Sequence, residues 1–178
     1  MREDAASELT RLIKVKGLPA EPVVVEANEH ERAALATRFG LSQIDYLRAV
    51  VELEQRPGAI RASGTMKASF LQPCAVSGED FSVEVEEPLY LRFVEAEAGN
   101  RLTAEDTEIE LTSEDCDEID YSGDAFDLGE AVAQTLGLVI DPYAEGPNAD
   151  EARAKAGIVK EGEQEGPLAD MLRNLTKD

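Results

Sequence analysis

The sequence predicts an α+β fold: an antiparallel β-sheet core packed by helices, with an acidic flexible segment and a short C-terminal helix. Three observations predict it. Apolar and polar residues alternate with a period of two over long runs between Leu47 and Phe93, the signature of strands with one buried face. Two segments carry helix-start signals followed by apolar residues four apart. The acidic residues are concentrated in the later part of the chain, where residues 95–124 hold 12 acids and one base, Arg101.

Thr10 to Val15 is a strand candidate ended by Gly17-Leu18-Pro19, and the β-branched run Pro22-Val23-Val24-Val25-Glu26 supplies a second. Asn28 then stands as a helix N-cap with Glu31 three residues on, a capping-box pattern that predicts a helix over residues 29–39. Leu35 and Phe39 share its core-facing stripe, and Gly40 follows its end. Next, Leu47, Ala49, Val51 and Leu53 alternate with Arg48, Val50, Glu52 and Glu54. After the Pro57-Gly58 turn, Ile60, Ala62, Gly64, Met66, Ala68 and Phe70 share one side, opposite Arg61, Ser63, Thr65, Lys67 and Ser69. Ser77-Gly78 reverses the chain into Phe81, Val83 and Val85. Pro88 is expected to interrupt this ladder before Leu89, Leu91 and Phe93 resume it. Three or four neighbouring strands in a meander account for these patterns.

Like-charge repulsion makes residues 95–124 a poor autonomous fold, so the segment is expected to be mobile, with Ile109 and Leu111 as a short strand option inside it. Asp127 is a second N-cap with Glu130 three later, and Leu128, Val132 and Leu136 predict a helix over 128–136 stopped by Gly137. These elements make one domain over residues 1–142, with its antiparallel core near 11–94. Residues 143–166, polar and glycine-containing, are expected as a flexible acidic linker. A terminal helix near 168–175 places Leu168, Met171, Leu172 and Leu175 on one side, to cap the core or meet a partner.

Composition narrows the function. Of 178 residues, 43% are hydrophobic, enough for a core. The charged opening Met1-Arg2-Glu3-Asp4-Ala5 is unlike an apolar targeting segment, no run matches a membrane span, and cytoplasm is the expected compartment. The formal charge is -21, yet residues 1–67 hold 10 acids and 10 bases, so the whole excess lies in residues 68–178, with 28 acids and 7 bases. Such a field repels phosphate backbones and attracts basic partners. Arg48, Arg61 and Lys67 with Tyr46 nearby form a sparse polar sheet surface of the kind that contacts phosphate or a base, interrupted by Glu52 and Glu54. These four residues, with Leu168, Met171 and Leu172, are the candidate partner-binding set.

Candidates for chemistry fall away one by one. His30, the sole histidine, lies at a helix start with no nucleophile to orient. Cys74 and Cys116 leave a disulfide open, though a cytosolic chain keeps both reduced. With His30 they supply too few soft ligands for zinc. Cys74 reads as a structural thiol, and the carboxylates around Cys116 disfavour its thiolate. Asp106, Glu108 and Glu110 would need to converge in space for cation binding or glycosidic chemistry, and read instead as a solvated acidic loop. Phosphate-loop, dinucleotide, serine-hydrolase and metalloprotease motifs are all absent. No catalytic set, cofactor or metal is expected, and a binding or assembly protein is the favoured class.

The order of several segments adds to this. Gly64-Thr65-Met66-Lys67-Ala68-Ser69-Phe70-Leu71-Gln72-Pro73-Cys74, the strands from Phe81 to Phe93, Asp127 to Leu136, Asp141-Pro142 and the late Gly166-Pro167-Leu168-Ala169-Asp170-Met171-Leu172 together resemble the YceD family of large ribosomal RNA subunit accumulation proteins. The match weakens in the first third of the chain. Many relatives carry Cys-x-x-Cys, whereas Ser77 stands where the second thiol would be, so no zinc role is carried over. The resemblance implies a non-enzymatic role in accumulation or processing of 23S rRNA. Together with the charge, it points to a basic ribosomal or ribosome-assembly protein as partner, with rRNA affected indirectly and no membrane involved. An acidic inhibitor or nucleic-acid mimic seated in a basic groove, and a hydrolase whose residues converge only in three dimensions, are the alternatives.

Overall fold

The computed structural model describes residues 7–96 and 117–158. In chain order these form β1 (Leu12–Lys14), β2 (Val23–Glu26), α1 (Glu29–Phe39), β3 (Gln43–Arg56), β4 (Ala59–Pro73), β5 (Asp80–Glu95), β6 (Asp117–Tyr121), β7 (Ala125–Asp127), α2 (Leu128–Val139) and α3 (Ala149–Lys155). The α+β class is the one expected. The described residues fall into two compact units, one within residues 1–72 and 82–141, the other within residues 73–81 and 142–178.

In the first unit, five strands lie in the order β2-β3-β4-β5-β6. β2 and β4 both pair antiparallel with β3, Val25 opposite Ala49 and Val51 opposite Gly64. The alternation places the core as read: Leu47, Ala49, Val51, Ile60, Ala62, Met66, Ala68, Phe70, Leu89, Leu91 and Phe93 are all buried. Leu35 of α1 and Leu128, Val132 and Leu136 of α2 complete the same core. Phe126 stacks 4.2 Å from Phe93 and 6.1 Å from Tyr121, centroid to centroid. Truncating so central a ring typically costs about 3–5 kcal/mol.

Several expectations are corrected. β1 does not join the main sheet; it pairs antiparallel with β7 in a separate two-stranded sheet, Ile13 opposite Phe126. Pro88 does not interrupt its strand, since β5 runs from Asp80 to Glu95 with Phe81, Val83 and Val85 in phase with Leu89, Leu91 and Phe93. Among the described residues β6 pairs with β5 only over Leu91–Glu95, so Pro88 lies outside that ladder, where a missing N–H is tolerated. Residues 117–121, expected within a mobile segment, form β6, which pairs parallel with β5 so that Ile119 lies opposite Phe93. Burial of Ile119 against the core outweighs repulsion among carboxylates that point to solvent. The remainder of that segment, with Ile109 and Leu111, lies outside the described residues.

α1 begins as read. The Asn28 side chain accepts from Glu31 N at 3.0 Å, and the Glu31 carboxylate accepts from Asn28 N at 2.8 Å. α2 is capped by Asp127, whose Oδ1 accepts from Gly129 N at 2.9 Å and Glu130 N at 3.2 Å. Glu130 does not complete a box. Its carboxylate instead accepts from Arg38 Nη2 at 2.8 Å and from the Ser7 hydroxyl at 2.6 Å. Gly137 does not stop α2, which continues to Val139. A Cβ there would stand 2.8 Å from the Phe39 ring, so the glycine serves the close approach of α2 to α1.

The chain before β1 is threaded past the start of α2. A Cβ on Gly129 would lie 2.3 Å from Leu9 O and 2.8 Å from Arg11 N, contacts no side chain can make without moving backbone. Arg11 N donates to Asp127 Oδ1 at 2.8 Å, and Leu128 N donates to Arg11 O at 3.0 Å. Gly129→Ala is therefore expected to destabilise the protein by about 1–3 kcal/mol through forced displacement, and Asp127→Ala by about 1–2 kcal/mol through loss of the cap. Equilibrium denaturation measures both, and a G129A protein as stable as the parent would rule out this threading.

Candidate interaction surface

Period two that buries Leu47, Ala49 and Val51 must turn Tyr46, Arg48 and Val50 to the opposite side of β3. On β4 the same rule turns out Arg61 and Lys67. The structure thus brings the four sheet candidates, Tyr46, Arg48, Arg61 and Lys67, onto one outer face. Arg48 lies directly opposite Glu26 on one side and Lys67 on the other. Two cations face to face repel, and each is offset from its flank: Arg48 Nε stands 3.8 Å from Glu26 Oε2, and Lys67 Nζ stands 3.0 Å from Glu86 Oε1. Arg61 lies opposite Glu54 in register, but that carboxylate pairs with Arg56. These exposed pairs add little stability, about 0–1 kcal/mol each. Their consequence is electrostatic, because cations matched by neighbouring carboxylates make no continuous track for a phosphate backbone.

Beside this charged row, Val24 pairs with Val50. Val24, Val50 and Tyr46 are 48%, 40% and 39% exposed, and Tyr90 on β5 is also exposed. The face is thus a mixture of apolar side chains and locally balanced charges, a composition closer to protein-binding than to nucleic-acid-binding surfaces.

The other candidates, Leu168, Met171 and Leu172, lie outside the described residues, as do Asp106, Glu108, Glu110 and Cys116. His30 is exposed in the first turn of α1. Among the described residues no group of three or more His, Cys, Asp or Glu could hold a metal ion.

Two arrangements escaped the sequence reading. The first is a pair of arginine clamps in the first unit. Arg11 Nη1 and Nη2 bind the Glu31 carboxylate at 2.8 and 3.0 Å, while Nη2 also donates to Glu26 O at 2.8 Å. Arg38 donates to Glu130 at 2.8 and 3.0 Å and to Glu8 at 2.9 Å. The Arg11 and Arg38 guanidinium groups, by hydrogen bonding, hold the Glu31 and Glu130 carboxyls below the usual carboxylate range. No local motif announces such pairs, because their partners are far apart in sequence.

The second is in the other unit. Cys74, read as structural, is free and buried. Its sulfur accepts from Val76 N at 3.4 Å and Ser77 N at 3.3 Å, and Gly78 N closes the turn on Cys74 O at 2.9 Å. The Ser77 hydroxyl, followed by its N–H, lowers the thiol pKa to about 7. Residues 143–166 were expected as linker, yet α3 forms there, with Arg153 bound to Glu145 and Asp150. Asn148 Nδ2 donates to Glu79 Oε2 at 2.8 Å, and Ala75 N donates to Ala144 O at 3.0 Å. Those hydrogen bonds supply the order that the local composition lacks.

No family model, curated protein or solved structure matches this chain.

The Cys74 geometry has a measurable result. With Cys116→Ser removing the other thiol, thiolate absorbance should titrate with a midpoint near 7, and Ser77→Ala should move that midpoint upward. Because the folded value lies below the ordinary thiol value, the thiolate's stabilisation is complete above the latter and is lost as pH falls through about 7. Stability should accordingly rise with pH across this window. An ordinary midpoint of about 8.5 in both proteins would refute the assignment.

Proposed function

We propose that this chain is a non-enzymatic ribosome-biogenesis factor that supports 23S rRNA accumulation or processing by binding a basic ribosomal or ribosome-assembly protein in the cytoplasm. The observation that carries the reading is the placement of charge: 28 acids against 7 bases in residues 68–178, beside a balanced first part. A negative field of this size speeds encounter with cationic proteins and opposes encounter with RNA. The succession of sequence segments that resemble the YceD family supplies the ribosomal context. The outer sheet face supports a protein rather than an RNA partner, since its cations Arg48 and Lys67 each have a carboxylate at hand.

The test uses the full chain, immobilised, against large-subunit ribosomal proteins freed of RNA and, separately, against naked 23S rRNA. One or a few basic proteins should be retained at about 0.15 M salt and released as salt screens the field, while the RNA passes through. Removing the chain from cells should lower 23S relative to 16S rRNA. Retention of RNA with no ribosomal protein, or retention of neither, would overturn the reading.

A further inference from the structure

Resting on that reading, we propose that the open cavity between β1, β6 and the start of α2 receives an arginine or lysine side chain from an extended basic segment of the protein partner. The cavity belongs wholly to the first unit and has a volume of about 770 Å³. A long cationic side chain has two parts, an apolar stem and a charged head, and the cavity meets both. Tyr121 and Ala125, both half-buried, line it with apolar surface, and the buried Phe126 ring backs that of Tyr121 at 6.1 Å. A guanidinium or ammonium group is attracted to an aromatic face. Leu12, 67% exposed, also lines the cavity and offers a second apolar contact for the stem.

The charge of the wall selects the sign of the guest. Glu8, Asp120, Asp127 and Glu130 line the cavity with a single cation, Arg38. Glu8 and Glu130 share that arginine. Asp127 Oδ1 accepts from three backbone N–H groups, those of Arg11, Gly129 and Glu130, and its negative charge is offset by them and by the positive end of α2. Asp120, exposed on β6, has no ion-pair partner among the described residues. One further cation would complete at Asp120 what Arg38 begins at Glu130. Arg38 itself shows that this wall accommodates a guanidinium between two carboxylates. An anionic guest would meet four carboxylates instead, and a purely apolar one would leave Asp120 desolvated without compensation.

The experiment titrates the isotope-labelled full chain with a peptide of alternating arginine and glycine, and with a glutamate–glycine control, following backbone amide resonances. The arginine peptide should shift Leu12, Tyr121, Ser122 and Ala125 together, and the control should not. Asp120→Asn and Leu12→Ser change exposed side chains, so folding is retained, and each should raise the peptide's dissociation constant roughly fivefold. Glu151→Gln, in the other unit, should leave it unchanged. Shifts scattered over all acidic residues, equal binding by the Asp120→Asn protein, or no binding of the peptide would overturn the proposal. The parent chain and the Asp120→Asn and Leu12→Ser proteins are also tested against the RNA-free ribosomal proteins. Retention there that is indifferent to Asp120 and Leu12 would sink this cavity alone, whereas loss of all retention by the parent chain would sink the partner reading itself.

Discussion

Residue 11 is held through every polar group it owns. Its N–H donates to the Asp127 carboxylate, its carbonyl accepts from Leu128 N, and its guanidinium donates to Glu31 and the Glu26 carbonyl. Those partners are the N-cap of one helix, the first residue of that helix, the capping-box member of the other, and the end of a strand. A helix begins with unpaired N–H groups that need acceptors, and here the acceptors are themselves anchored on a single residue. The starts of α1 and α2 are thereby tied to each other as well as to the sheet. Gly129 is the steric complement, since it permits the chain at Leu9 to Arg11 to come close enough for these bonds to form.

This arrangement explains where the N-terminal half spends its cations. Arg11 and Arg38 are committed to Glu31 and Glu130 within the first unit, and Arg48 and Lys67 stand beside Glu26 and Glu86 on its outer face. A count of bases along the chain suggests a neutral part followed by an acidic part. In space, four of those bases, Arg11, Arg38, Arg48 and Lys67, each stand against a carboxylate, and the net excess of charge is acidic. Interaction through such a surface depends on the few places where carboxylates meet apolar side chains, because charge alone attracts every cation equally.

The second unit shows the same economy on a smaller scale. Cys74 gains its partners from a tight turn, with Val76 and Ser77 N–H groups directed at the sulfur. Ser77 occupies the position that a paired thiol would take in a Cys-x-x-Cys turn and supplies hydrogen bonds in place of a second soft ligand. Gly146 packs against Phe81 and the Cys74 Cβ, which requires the absence of a side chain there.

Patterns set by neighbours in sequence were legible beforehand. The alternation through β3, β4 and β5 identified which side chains are buried, because pleating admits one phase per strand, and Asn28 with Glu31 marked the start of α1 because a capping box closes within four residues. The same alternation placed Tyr46, Arg48, Arg61 and Lys67 on one face. What no local pattern contained was decided by contacts across the fold. Ile119 became a strand residue through its place opposite Phe93, β1 left the main sheet for Ala125–Asp127, Gly137 met Phe39, and Glu130 chose Arg38 over its own helix cap. In each case the determining partner is distant in sequence, and its distance and direction come into being only when the chain has closed on itself.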